Sequence, residues 1–168
     1  MKQDELNKAA SKIKVAIFDV DGVMTDGGMI LDEEGKEYKV FNAKDGQGLV
    51  MLNRAGVKTV IITAKESYMV QKRFTALGFT RIYQGQRNKE TALDEVVDDY
   101  ELKFDEVSYM GDDLPDLCVL RKVGLPSCPN DAVPEVVKAS RFVSSKDGGR
   151  GAVRELSLIH ISEPTRPY

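Results

Sequence analysis

Four groups of polar residues stand where this chain's apolar runs begin or end. Asp19 and Asp21 follow IKVAIF at residues 13–18, and Thr63 closes VKTVII at 57–62. Lys89 opens an amphipathic stretch, and Asp112 and Asp113 follow EVSYMG at 106–111. Taken singly, each has an ordinary structural explanation. An Asp-x-Asp after a strand is commonly a turn with a helix cap, a strand-end threonine is β-branched strand chemistry, and a lone lysine is a solvated helix residue. Together and in this order they match the needs of phosphate monoester hydrolysis. Such an ester carries about two negative charges, so its cleavage needs charge neutralisation, a nucleophile and a proton for the leaving oxygen. A Mg²⁺ held by Asp19 and Asp112 masks the nucleophile's own charge, because hard cations take oxygen ligands and Mg²⁺ keeps water and substrate phosphate in its shell. Gly22 permits the turn that brings Asp21 beside Asp19, where it can protonate the leaving oxygen and then activate water against the acyl-phosphate. The Asp21 backbone carbonyl can also face the metal. Thr63 offers a hydroxyl and a backbone N–H to the phosphoryl oxygens, and Lys89 bridges phosphate and Asp19.

The elements that must position these groups follow from hydrophobic period and turn signals. Strands are expected at 13–18, 57–62, 80–83, 106–110, 123–127 and 141–143. A β-hairpin is expected over 28–41 around Asp32-Glu33-Glu34-Gly35. Helices are expected at 47–55, 67–77, 88–100 and 133–139, with Gly56 and Gly78 closing the first two and Asp113 capping a further one that opens with Pro115. Strands alternating with helices imply an α/β fold: a Rossmann-like parallel sheet covered on both faces, which binds ligands beyond the carboxyl ends of its strands. Every strand that carries a candidate residue ends in it.

Bulk properties exclude other classes. The 168 residues fit one domain, and 42% hydrophobic with 30% charged residues is an ordinary globular balance. No apolar run approaches the ~18 residues of a membrane span. A formal net charge of −3 without a basic block argues against nucleic acid as a partner. Cys118 and Cys128 lack zinc or redox spacing and read as small apolar residues of a reducing compartment, and residues 1–12 carry no signal-peptide pattern; the expected location is cytoplasmic. The last stretch, LSLIHISEPTRPY at 156–168, holds the lone histidine, His160, and two of the six prolines. It matches the translated frame of a transposase adapter used in sequencing libraries. It is expected to be read-through rather than native sequence, lying outside a domain of 1–155 and showing no period that continues what precedes it.

The motifs resemble those of the haloacid dehalogenase superfamily: DVDGVMTDG at 19–27, IIT at 61–63, Lys89, and GDDLPD at 111–116. More narrowly, the TDG ending, FNAKDG at 41–46, YQG at 83–85 and GGRGAVRE at 148–155 are similar to the 3-deoxy-D-manno-octulosonate 8-phosphate (KDO 8-phosphate) phosphatases. The resemblance implies a Mg²⁺-dependent phosphatase with a minimal hairpin cap, Asp19 as nucleophile, Asp21 as acid/base, Thr63 and Lys89 as phosphate ligands, Asp112 as metal ligand and Asp113 as a supporting acid. It also implies a homotetramer, a sugar-acid phosphate substrate that feeds lipopolysaccharide synthesis, and Arg150 and Arg154 near a substrate carboxylate. Three features depart from the pattern. Ala64-Lys65 stands where Gly-Arg is usual, so Lys65 keeps the charge without the planar fork for a carboxylate. Asn88 replaces an aspartate, and the natural C-terminal helix after Glu155 is missing. The alternatives are a phosphatase of a nonulosonate 9-phosphate and a catalytically silent oligomerisation module of the same fold. The intact set of aspartates and Lys89 speaks against the silent module. A phospho-receiver domain is excluded because the third central strand lacks the aspartate such domains phosphorylate.

Overall fold

Val15–Phe18 form the central strand β1 of a computed structural model that describes residues 3–161. All four side chains are buried, and they divide by the two-residue period of a strand: Ala16 and Phe18 enter one core, Val15 and Ile17 the other. The same division holds in β4 (Lys58–Ile62) and β6 (Val107–Met110), with Ile61 and Met110 on the first side and Val60, Ile62, Val107 and Tyr109 on the second. Burial on both faces is why these strands read as unbroken apolar runs rather than alternating ones.

The remaining strands are β2 (Ile30–Leu31), β3 (Glu37–Tyr38), β5 (Arg81–Tyr83), β7 (Leu125–Cys128) and β8 (Phe142–Val143). Six of the eight build a parallel sheet in the order β5-β4-β1-β6-β7-β8, while β2 and β3 pair as a separate antiparallel hairpin. The chain lays down β1, β4 and β5 in one direction, then crosses back to place β6, β7 and β8 on the other side of β1. The strand order therefore reverses at β1, and the crevice such a reversal opens lies at its carboxyl end.

Helices α1 (Gln3–Ser11), α2 (Ala43–Arg54), α3 (Tyr68–Ala76) and α7 (Ala152–Ile161) cover the first core; α4 (Lys89–Asp99), α5 (Leu117–Leu120) and α6 (Pro134–Ala139) cover the second. No helix among the described residues is long and apolar enough to cross a membrane. Strand boundaries in the parallel sheet lie within two residues of the sequence expectation.

Three differences have physical reasons. Helix α1 buries only Leu6 and Ala10 and is polar on average, so no apolar run marks it in the sequence. Helix α2 begins at Ala43 rather than Gln47, because the Asn42 side chain accepts from the Lys44 and Asp45 N–H groups and so caps it. Its internal Gly48 is a packing requirement: a Cβ there would lie 2.5 Å from Ser157 Oγ and 3.3 Å from Arg154 Cα, so α2 and α7 approach closely. Lastly, the expectation that the period stops at Leu156 is corrected. Helix α7 runs on to Ile161 with Val153, Leu156, His160 and Ile161 buried, so a helix does follow Glu155. Its buried stripe runs from Ala152 and Val153 through Leu156 to Ile161, so neither GGRGAVRE nor the residues after it display the period alone. Residues 162–168 lie outside the described residues.

Candidate active site

Beyond Phe18 the chain leaves the sheet, and Asp19 is the first residue past β1; its N–H still donates to the Met110 carbonyl at 3.0 Å, which fixes it between β1 and β6. Gly22 then turns at φ 86°, with no room for a side chain because a Cβ would collide with the Asp112 carboxylate. Thr25 holds the loop closed, its hydroxyl accepting from the N–H groups of Gly22 and Gly27 at 3.2 Å each. The TDG part of the first motif is thus a loop clamp. The loop also rests on the C-terminal segment, where the Gly149 N–H donates to the Val23 carbonyl at 2.9 Å.

Around Asp19 lies a cavity of about 300 Å³ lined by Asp21, Thr63, Lys65, Lys89, Asp112, Asp113 and Asp116, among others. Four of the expected residues come from four different strand-to-helix junctions and meet here. Lys89 stands at the first turn of α4, capped by Asn88, and its ammonium lies 2.9 Å from Asp19 Oδ2 and 2.7 Å from Asp116 Oδ1. The other Asp19 oxygen accepts from the Val20 N–H at 2.7 Å.

Asp116 is the residue the sequence reading passed over. It is buried, and its carboxylate accepts four hydrogen bonds: Lys89 and the Tyr109 hydroxyl (2.5 Å) on Oδ1, and the N–H groups of Asp112 (2.9 Å) and Asp113 (3.2 Å) on Oδ2. Four donors fill the lone pairs of one carboxylate, so Asp116 anchors both Lys89 and the loop that carries Asp112. Asp113, expected as the supporting acid, faces outward and caps the following turn through the Leu114 N–H at 2.8 Å. The sequence signal for Asp116 was present as the D-x-x-D of a capping box, which the structure forms between Asp113 and Asp116.

The electrostatics of this cluster are out of balance. Carboxylate oxygens of Asp19, Asp112 and Asp116 lie within 4.8 Å of one another. Burial raises Asp19 to about 6, with Lys89 pulling against the rise. Asp112 is pushed up to about 8 by burial and then by the facing charges of Asp19 and Asp116. Burial works against the Lys89 charge, yet Asp19 and Asp116 outweigh it and hold the ammonium above its ordinary range. Hard oxygen donors with unrelieved negative charge fit a divalent cation such as Mg²⁺. Because Asp116 is saturated, Asp19 and Asp112 are the carboxylates of this cluster suited to such an ion.

The remaining candidates are placed as follows. Thr63 is buried at the end of β4, but its N–H is already given to the Tyr83 carbonyl at 2.9 Å; the backbone donor expected there is committed to the sheet, and the side chain is what Thr63 can offer. Asp21 receives an ion pair from Lys39 at 2.6 Å, a residue the sequence gave no reason to single out. Lys65 lines the cavity with its ammonium 3.6 Å from Glu37. Arg150 and Arg154 do not line the cavity. Arg150 is exposed and pairs with Asp26 at 3.4 Å, and Arg154 donates to the Lys44 carbonyl at 3.0 Å. The narrower motifs prove to be structural joints. Asp45 of FNAKDG caps α7 through the Arg154 N–H at 2.9 Å, and Glu155 of GGRGAVRE accepts from Ser144 and Ser145.

Residues 75–156 match the model of haloacid dehalogenase-like hydrolases. Over 161 residues, the chain is 38% identical to the 3-deoxy-D-manno-octulosonate 8-phosphate phosphatase KdsC of Yersinia pestis, covering 95% of this chain and 86% of that one. The chain belongs to this phosphatase family. The KdsC of Escherichia coli K12 is 39% identical over 88% of the chain and 78% of its own length. Among solved structures, the Moraxella catarrhalis phosphatase in complex with magnesium, phosphate and KDO superposes with a TM-score of 0.94 at 36% identity, covering 96% of this chain and 93% of that one.

Proposed function

We propose that the protein is a Mg²⁺-dependent phosphatase that hydrolyses 3-deoxy-D-manno-octulosonate 8-phosphate to KDO and phosphate through a phosphoryl-enzyme on Asp19. The observation that carries this reading is the buried Asp19–Lys89–Asp116 chain, with Asp112 facing it across the cavity. The family's activity, and the Moraxella relative's magnesium, phosphate and KDO, support the same chemistry.

An Asp19 carboxylate oxygen attacks phosphorus and the ester P–O bond breaks. Asp21 gives its proton to the departing sugar oxygen. Asp21, now ionised, takes a proton from water as that water attacks the acyl-phosphate; phosphate leaves and Asp19 returns as a carboxylate. Lys89 stays within reach of Asp19 throughout and balances charge that builds on the phosphoryl group. Asp19, Asp112 and the Asp21 carbonyl would hold Mg²⁺, which would supply Lewis-acid neutralisation of the phosphoryl charge. Thr63 completes the phosphoryl pocket, and Asp113 supports the loop that carries Asp112.

Of the two lysines that line the cavity, Lys89 is engaged by Asp19 and Asp116, which leaves Lys65 to meet a substrate carboxylate. It presents a point charge rather than a fork, and for that reason a nine-carbon nonulosonate 9-phosphate is the competing substrate. Arg150 and Arg154 are proposed to act across a subunit boundary. Assembly into a tetramer is supported by the exposed apolar side chains of the hairpin region, Met29, Ile30, Leu31 and Val40. A cytoplasmic location and a place in lipopolysaccharide synthesis follow from the substrate.

Phosphate release from a panel of sugar-acid phosphates tests the reading. Preferential turnover of the octulosonate 8-phosphate, lost with EDTA and in Asp19→Asn, is expected. Absence of release from every substrate would leave the silent oligomerisation module, and preference for a nine-carbon substrate would replace KDO 8-phosphate.

A further inference from the structure

The hairpin of β2 and β3 is the most exposed part of the fold, with Tyr38 41% and Val40 67% exposed, yet the Lys39 side chain between them is only 4% exposed. A lysine buried to that degree is tolerated only where its charge is met. Lys39 meets two carboxylates: its ammonium lies 2.7 Å from Glu37 Oε1 and 2.6 Å from Asp21 Oδ1. Glu37 alone would neutralise it, so the contact with Asp21 is an addition that ties the cap to the acid/base. Glu37 in turn faces Lys65 at 3.6 Å through its other oxygen. Lys65, Glu37, Lys39 and Asp21 thus form a line of alternating charge from the loop after β4, through the hairpin, to the reacting centre.

The line also separates two spaces. Asp21 lines the cavity around Asp19, Lys39 and Glu37 line a second groove of about 330 Å³ together with Tyr38 and Tyr68, and Lys65 borders both. A monoester whose phosphoryl group sits at Asp19 must send its leaving group out past this boundary. There, one oxygen of Asp21 must face the ester oxygen while the other is held still.

We infer that Lys39 is a positioning residue for Asp21. It grips Oδ1 from the cap and so turns Oδ2 toward the ester oxygen, making leaving-group protonation depend on the hairpin. Glu37 holds Lys39 from the other side and keeps its ammonium in place. The inference rests on the phosphatase reading and assigns the acid/base step a component from outside the four motifs.

Its test compares two leaving groups. An alkyl phosphate such as KDO 8-phosphate leaves as a poor alkoxide and needs the proton of Asp21, whereas p-nitrophenolate departs without one. General acid catalysis is worth about 10²–10⁴-fold, and a misplaced acid loses part of that. Lys39→Met should lower the single-turnover rate of leaving-group release from KDO 8-phosphate by about 10–100-fold and from p-nitrophenyl phosphate much less, since this rate excludes the later acyl-phosphate hydrolysis, with Lys39→Arg recovering part of the loss. In an Asp21→Asn background, Lys39→Met should add no further loss on the sugar phosphate. Equal losses on both substrates, or a full additional loss on top of Asp21→Asn, would overturn the inference. So would an effect confined to KM for the sugar phosphate, which would make Lys39 a substrate contact. Wild-type protein inactive on both phosphates would instead sink the phosphatase reading itself.

Discussion

At the carboxyl end of the sheet, a cavity of about 300 Å³ sets five carboxylates, Asp19, Asp21, Asp112, Asp113 and Asp116, against two cations, Lys65 and Lys89. At the amino end, a hollow of about 350 Å³ sets Glu5 and Asp105 against Lys8, Lys12 and Arg141. The two are alike in size and both charged. They differ in how the charge is met. At the amino end Lys12 pairs with Asp105 at 3.3 Å with both side chains more than half exposed, and Arg141 spends its guanidinium on the Gly124 carbonyl. Water screens what remains. At the carboxyl end Asp19 and Asp116 are buried, one lysine must serve both, and Asp112 is driven to about 8. A site is marked here by imbalance that the fold maintains under burial, since a structural cluster of the same residues would be expected to pair off.

The sharpest way to break the comparison is to remove the nucleophile. Asp19→Asn should lower phosphate release at least about a thousandfold. In metal-free protein near neutral pH it should leave thermal stability equal or higher, because it takes away a charge that Asp112 opposes; a large loss of stability would mean that Asp19 is structural. Asp116→Ala should do the reverse to the scaffold. It strips the shared partner from Lys89 and the hydroxyl of Tyr109, with an expected cost of about 3 kcal/mol in urea unfolding, together with loss of activity.

A pH series sharpens the same contrast. Asp19 and Asp112 have folded pKa values raised above the ordinary carboxylate value. The folded state therefore binds more protons than the unfolded one across the window from about 4 to 8, and metal-free stability must fall as pH rises through it. The melting temperature without metal should decline from pH 5 to pH 8, the decline should flatten in Asp112→Asn, and saturating Mg²⁺ should reverse it in the parent protein. A flat metal-free profile would contradict the imbalance. At the amino end Lys12→Met should cost no more than about 1 kcal/mol and leave turnover untouched.

The sheet was legible because strands covered on both faces leave unbroken apolar runs, and the catalytic residues were legible because the aspartates and Thr63 follow such runs and Lys89 opens a helix. Asp19, Asp21, Thr63, Lys89 and Asp112 all surround one cavity for that reason. The failures share a cause as well. Lys39 reaches Asp21 across eighteen positions of sequence from an exposed hairpin, and no local pattern distinguishes it from its solvated neighbours Lys36 and Glu34. Tyr109 reads as one more apolar strand residue until its hydroxyl is seen on Asp116. The close approach of α7 that Gly48 permits has no signature in the local period of α2. Arg154, which the resemblance places near substrate, is turned to the start of α2 within its own chain. Contacts between elements that are distant in sequence carry these roles, and local period does not report them.

The central claim is that phosphate passes through Asp19, and acid-quenched peptide mass spectrometry tests it most directly. With Mg²⁺ and p-nitrophenyl phosphate, the Asp21→Asn variant lacks the base that hydrolyses the acyl-phosphate, so the peptide containing Asp19 should carry one phosphoryl group at higher occupancy than in the parent protein. Turnover with no phosphorylated Asp19 in either protein, or turnover that survives Asp19→Asn, would contradict it.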